Sequence, residues 1–239
     1  MNLVVDYGNS SAKVGIFDYH KLVRKEVFTE AKALQNFLEN FSADCIIVSS
    51  VTTDASLVTT WAKHVKEKYI LTPSVPLPVK NGYATPSTLG VDRLAGVCGA
   101  HQLYPKSNCL VIDAGTCITY DFIDHDGLFL GGGISPGLSM RFEAVHTFTA
   151  KLPLVKLTDH PALIGNSTET CIQSGVLNGA IEELNGIIMR YQEKFDGLHV
   201  ILCGGDARFF ENKLKASIFA LPELVLRGLN SILIYNVSQ

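Results

Sequence analysis

Leu3-Val4-Val5-Asp6-Tyr7-Gly8-Asn9-Ser10 and Leu110-Val111-Ile112-Asp113-Ala114-Gly115-Thr116 each carry an apolar run into an aspartate, then a glycine, then amide or hydroxyl side chains. Each reads as a buried strand that ends on a carboxylate and turns at a glycine. The copies lie a little under half of the 239-residue chain apart. A repeat of that period predicts two similar halves facing each other across a phosphate site. The halves are expected at 1–105 and 106–239, joined by the helix and turn near 94–107 without a low-complexity linker.

Outward from the first copy, Ala12, Val14 and Ile16 alternate with Lys13, Gly15 and Phe17, so a second strand follows the Gly8-Asn9 turn and a third runs on to Thr29. A helix is predicted over 31–41, a buried strand over 45–48, and a helix over 54–66 with Asp54 as its N-cap. Residues 72–89 hold Pro73, Pro76, Pro78 and Pro86 and read as an extended surface segment. Gly90-Val91-Asp92-Arg93 then precedes a helix over 94–103. The second half repeats the opening with strands over 109–112, 118–123 and 128–130 and a turn at Asp126-Gly127. Helices over 138–148 and 169–193, a strand over 199–203 and a terminal helix opened by Pro222 complete the chain.

Apolar residues make up 47% of the chain, enough for substantial cores, and the net charge of −3 gives no reason to expect nucleic acid or an anionic membrane as partner. Charged residues reach only 18%, which leaves room for an apolar surface against a second subunit. No run approaches the roughly 18 apolar residues of a membrane span, and no basic leader precedes the first strand, so a cytoplasmic protein is expected. The six cysteines form no CxxC pair and sit mostly beside aliphatic residues, as small buried hydrophobes in a reducing compartment would. The seven histidines lack HxH or HExxH spacing, which argues against zinc, and no GxSxG elbow supports a serine hydrolase.

An unpaired carboxylate is costly at the end of an apolar strand, so Asp6 stands at the open carboxyl end of a sheet or is paired. It reads either as an acid that holds magnesium through water or as the Asx-turn of a hairpin. Gly8, Asn9, Ser10 and Lys13 form a hairpin cradle in which turn N–H groups, two side-chain donors and a lysine could converge on phosphate; the alternative is ordinary turn chemistry with an exposed lysine. Thr116 would meet a terminal phosphate from the second copy. Gly131-Gly132-Gly133 and Gly204-Gly205-Asp206 mark places where backbone must approach something closely, and the latter fits a nucleoside. Asp92 is an N-cap or a proton acceptor for an attacking hydroxyl, and Arg93 beside it presents a fork suited to a carboxylate.

The series Asp6-Tyr7-Gly8-Asn9-Ser10-Ser11-Ala12-Lys13, Gly90-Val91-Asp92-Arg93, Asp113-Ala114-Gly115-Thr116, Gly133-Ile134-Ser135-Pro136-Gly137, Gly165-Asn166-Ser167-Thr168-Glu169 and Gly204-Gly205-Asp206 resembles type III pantothenate kinase in order and across nearly the whole chain. The Gly-x-Asp-Arg and Gly-x-x-x-Pro-Gly elements narrow the wider actin-like ATPase superfamily to this family. The resemblance implies an α/β fold of two actin-like, ribonuclease-H-like domains, each a mixed five-stranded sheet flanked by helices. It implies an ATP-dependent phosphotransferase that converts pantothenate to 4′-phosphopantothenate at the first step of coenzyme A synthesis, working as a cytoplasmic homodimer with substrate near the interface. By position it implies ATP with magnesium on Asp6, Tyr7, Gly8, Asn9, Ser10, Ser11, Ala12, Lys13 and Thr116, and potassium or ammonium on Asp113. Asp92 becomes the proton acceptor, while Tyr83, Gly90, Val91, Asp92, Arg93 and Thr168 line the pantothenate site. Serine at position 10, where threonine is common, keeps the hydroxyl.

Overall fold

The computed structural model describes residues 1–50 and 53–238. The opening repeat folds as β1 (Asn2–Tyr7), β2 (Ala12–Asp18) and β3 (Lys21–Phe28), followed by α1 (Ala31–Asn40), β4 (Ser42–Ser50), α2 (Ala55–Trp61) and β5 (His64–Ile70). Their sheet has the order β3-β2-β1-β4-β5, with β1 antiparallel to β2 and parallel to β4. Asp54 caps α2 through the Ser56 amide at 2.8 Å. That helix stops at Trp61 instead of reaching residue 66, because the remainder pairs with β4 as a parallel strand and buries Val65.

The second copy folds as β7 (Cys109–Ala114), β8 (Cys117–Ile123) and β9 (Leu128–Pro136), after β6 (Lys80–Asn81) and α3 (Val91–Leu103). Then come α4 (Leu138–Thr147), α5 (Thr168–Gln173), α6 (Gly179–Lys194), β10 (His199–Cys203), α7 (Ala207–Glu211), β11 (Phe219–Ala220) and α8 (Leu224–Val237). The second sheet has the order β11-β10-β7-β8-β9-β6, six strands where five were expected, because β6 pairs with β9. Its β9-β8-β7-β10-β11 part repeats the order of the first sheet, so the repeat read from sequence extends to topology. Two expected elements differ. β9 runs through Gly131-Gly132-Gly133 to Pro136 instead of ending at Leu130, since a Cβ at Gly132 would overlap the Tyr120 carbonyl and glycine lets the strand lie against β8. The proline-rich 72–89 segment is not wholly extended. Lys80–Asn81 pairs in parallel with Leu128 and Phe129, and Pro86–Thr88 makes a 3₁₀ turn.

The described residues form two compact units: Met1–Lys106 with Ile123–Leu130 and Glu223–Gln239, and Ser107–Phe122 with Gly131–Pro222. This grouping changes unit after Lys106 and places Ile123–Leu130 and the terminal helix with the first unit. In that unit Leu3, Val5, Val14 and Ile16 pack with Leu34 and Leu38 of α1 and Val58 of α2. The opposite sheet face meets α8, where Gly15 lies against Leu226 and Asn2 bonds Asn230 at 3.0 Å. In the second unit Leu110, Ile112 and Leu202 pack with Phe142, Leu177, Leu184 and Phe210. Between α5 and α6 the helix widens into a π segment, Ser174–Asn178.

All six cysteines are free, yet only Cys45, Cys98, Cys109 and Cys203 are buried; Cys117 is half-buried and Cys171 exposed, so burial does not account for those two. No helix among the described residues is long and apolar enough to cross a membrane.

The tightest helix contact is between α3 and α8: a Cβ on Gly228 would overlap the Ala95 carbonyl, and one on Gly99 would lie 2.6 Å from the Leu224 carbonyl oxygen. Gly228→Ala is therefore expected to lower unfolding free energy in urea by about 1–3 kcal/mol. Gly186→Ala in α6, where nothing lies within 4 Å, is expected to raise it by about 0.5–1 kcal/mol.

Candidate active site

Asp6 lies at the carboxyl end of β1, in register with Lys13 on β2 and Ser49 on β4. Opposite charges face each other across the hairpin mouth, which favours the pair and keeps the lysine close to the turn. The turn closes through the Gly8 amide to the Ser11 carbonyl at 3.1 Å, leaving Asn9 and Ser10 exposed at its tip. Tyr7, Gly8, Asn9, Ser10, Ser11 and Ala12 line one cleft, which Phe28, Thr29, Glu30, Ala31 and Leu34 complete. The cleft thus includes the start of the ten-residue α1, whose free N–H groups and dipole favour an anion. No motif marks this junction of β3 and α1, and the sequence reading missed it.

Among the described residues no three His, Cys, Asp or Glu side chains cluster as a metal cage. The Asp6 carboxylate is a hard oxygen ligand of the kind that suits magnesium, which keeps most of its waters and needs few protein oxygens.

Gly90 is the N-cap of α3, and Asp92 stands in the first turn, so it is not the cap. Its Oδ1 accepts the Arg93 amide at 2.9 Å, and a Cβ on Gly90 would lie 2.5 Å from that oxygen. Glycine at 90 therefore leaves the carboxylate its space, and the positive end of the helix dipole lies beneath it. The Arg93 guanidinium is 5.5 Å from the centre of the Tyr83 ring and the residue is 8% exposed. Tyr83 is fixed in turn. Its amide donates to Asn81 Oδ1 at 3.0 Å, and its ring lies parallel to Phe129, with centroids 6.1 Å apart. The fold thus brings Tyr83, Gly90, Val91, Asp92 and Arg93 into one cluster, with Phe129 as a support that nothing in the local sequence announced.

In the second unit Asp113 lies in β7, opposite Cys203 of β10. Gly204, at φ +94°, presses against it, since a Cβ would overlap the Ala114 carbonyl oxygen and Asp113 Oδ1. These are oxygen donors, the kind a hard monovalent cation takes. The Asp206 amide donates to the Ala114 carbonyl at 2.8 Å, and burial pushes the Asp206 carboxyl above its ordinary value. Thr116 is exposed on the turn after β7, where the Gly115 amide bonds the Cys117 carbonyl at 2.9 Å. Thr168 opens α5, behind the N-cap Ser167 and its capping box with Thr170.

A model of the type III pantothenate kinase family matches residues 2–190. A type III pantothenate kinase of Christiangramia forsetii is 47% identical over 247 aligned positions, covering all of both chains. The chain belongs to the type III pantothenate kinase family. Another type III pantothenate kinase, from Phocaeicola vulgatus, is 45% identical with 99% of each chain covered. Among solved structures, a protein from Campylobacter jejuni described as a Baf family transcriptional activator shares 22% identity at TM-score 0.65, over 99% of this chain and all of its own. One from Sinorhizobium meliloti described as a 2-dehydro-3-deoxygalactonokinase shares 15% at TM-score 0.58, over 99% of both. Those two likenesses concern the fold alone: two mixed sheets flanked by helices.

Within this family member the glycine at 204 is a steric requirement of Asp113. Gly204→Ala is expected to cost about 1–3 kcal/mol in urea unfolding, because the residue must leave a positive φ or displace the aspartate. Gly205→Ala, with nothing within 4 Å, is expected to change stability by less than about 0.5 kcal/mol.

Proposed function

We propose that the chain transfers the γ-phosphoryl group of ATP to the primary hydroxyl of pantothenate, giving 4′-phosphopantothenate, the entry to coenzyme A. The observation that carries this is whole-length similarity to proteins named for the reaction, in a chain that keeps Asp92 and Arg93 together in the first turn of α3. We assign the phosphates of ATP to the cleft of Tyr7 to Ala12, with Lys13 supplying a positive charge and Thr116 a hydroxyl and N–H donor. Asp6 would hold magnesium through water, and the ion when bound neutralises charge on the transferring phosphoryl. Asp92 accepts the proton of the attacking hydroxyl. Arg93, steadied on Tyr83, receives the pantothenate carboxylate, and Gly90, Val91 and Thr168 are assigned to the same substrate.

We assign potassium or ammonium to Asp113. A cytoplasmic homodimer belongs to the same reading, supported by Phe148, Leu163 and Ile164, which are 86%, 83% and 84% exposed and form apolar surface that a second copy would cover.

A coupled ATPase assay with pantothenate, run with and without potassium, tests the activity; absence of turnover in either salt would refute it. In that assay Asp92→Asn is expected to lower kcat by about 10² to 10⁴ while ATP affinity stays near normal. Arg93→Lys keeps charge but loses the fork. It is expected to raise the KM for pantothenate about tenfold and leave that for ATP within about twofold.

A further inference from the structure

Four elements of the second unit send polar groups to one half-buried point. Glu183 of α6 receives the Tyr120 hydroxyl of β8 on one oxygen and Arg141 Nη2 of α4, at 2.6 Å, on the other. The same Arg141 nitrogen reaches Ser135 Oγ at 2.7 Å, and its Nε donates to the Pro136 carbonyl at 2.8 Å. Burial pushes the Glu183 carboxyl up, but hydrogen bonds from Tyr120, Ser135 and Arg141 outweigh it and hold the group below its ordinary value. The network is thus built around a carboxylate and a guanidinium, with both Glu183 oxygens and the Nε and Nη2 of Arg141 in use.

What the guanidinium grips is the end of β9, inside the Gly133-Ile134-Ser135-Pro136-Gly137 segment to which the reaction assigns no task. The next residue, Gly137, donates its amide to the Thr116 carbonyl at 3.1 Å. A Cβ there would overlap the Gly115 and Thr116 carbonyl oxygens. Ser135 to Gly137 is therefore the wall against which the Gly115-Thr116 turn rests. A two-residue turn in which Gly115 is half-buried and Thr116 exposed has little packing of its own, so its position follows that wall.

We propose that Arg141, locked by Glu183 and Tyr120, is a positioning residue for nucleotide binding: it fixes the Ser135–Gly137 segment and, through Gly137, the Thr116 turn that receives phosphate. The inference rests on the assignment of Thr116 to ATP made above. It predicts a defect confined to the nucleotide, because the hydrogen bonds of Arg141 lead to Ser135 and Pro136 and so, through Gly137, to Thr116.

The test is nucleotide affinity of the full chain by titration calorimetry with ATP and magnesium, together with separate KM values for ATP and pantothenate. Arg141→Lys is expected to weaken ATP binding about tenfold and raise the KM for ATP to match, with the pantothenate KM within about twofold. Ser135→Ala, which removes its hydrogen bonds with Arg141 and Glu183 at little risk to folding, is expected to shift the same quantities in the same direction by about two- to threefold. In a Thr116→Ala background, Arg141→Lys is expected to cost little further affinity, as residues acting through one another do. Equal effects on both substrates, a loss of thermal stability with unchanged ATP affinity, or additive losses in the double variant would overturn the proposal. Should Arg141→Lys fail to fold, Ser135→Ala alone and with Thr116→Ala decides by the same criteria. Because ATP affinity is read directly, absence of pantothenate turnover in the parent chain would sink the assigned reaction without touching this result.

Discussion

A carboxylate costs several kcal/mol to take out of water without partners, and both central strands of this protein end in one. That constraint organises each half. The apolar run before the aspartate can be covered on both faces, while the aspartate must come where the strand leaves the core, beside groups that tolerate its charge. In the first unit the answer is Lys13 in register across the hairpin. In the second it is a crossing of bare backbone, where Gly204 gives up its side chain so that Asp113 fits. One sequence pattern is thus served by two different environments, one with a lysine in register and one lined by backbone oxygen.

Much of the fold was legible because it rests on patterns that local chemistry enforces. Alternation over residues 12–17, the repeated Asp-x-Gly turn and the glycine-marked turn at Gly127 specify a meander, and two meanders with the same continuation give the same strand order. What escaped depends on partners distant in sequence. Residues 64–70 carry several charged side chains and become a strand because β4 offers an edge. β9 extends through its glycines because Gly132 and Gly133 lie against Tyr120. The terminal helix rejoins the first unit because Gly228 meets Ala95.

The site divides along the same line. Motif residues were readable one by one, and the cleft formed by Tyr7 to Ala12 gathers most of the first group. Asp92 stood open between cap and proton acceptor; the structure removes the cap, which is Gly90. The supports were hidden: Phe129 behind Tyr83, the start of α1 behind the cradle, and the Arg141–Glu183 pair behind Thr116. A support is chosen by shape and distance, and neither is written at fixed spacing from the residue it holds.

The π segment between α5 and α6 sets the phase of one long helix. Ser174 Oγ donates to the Leu163 carbonyl at 2.7 Å and Asn178 Nδ2 to that of Ala162 at 3.2 Å, so the widened turn also ties down the strand-free stretch leading to Thr168. A π turn holds one residue more than an α turn, and each residue of an α-helix turns the chain by roughly 100°. The face of α5 that bears Thr168 and the face of α6 that bears Glu183 are thus indexed to each other by a single inserted residue. Loss of that residue would leave every local propensity intact and dial one face away from its partners, so in this helix length carries information that composition does not.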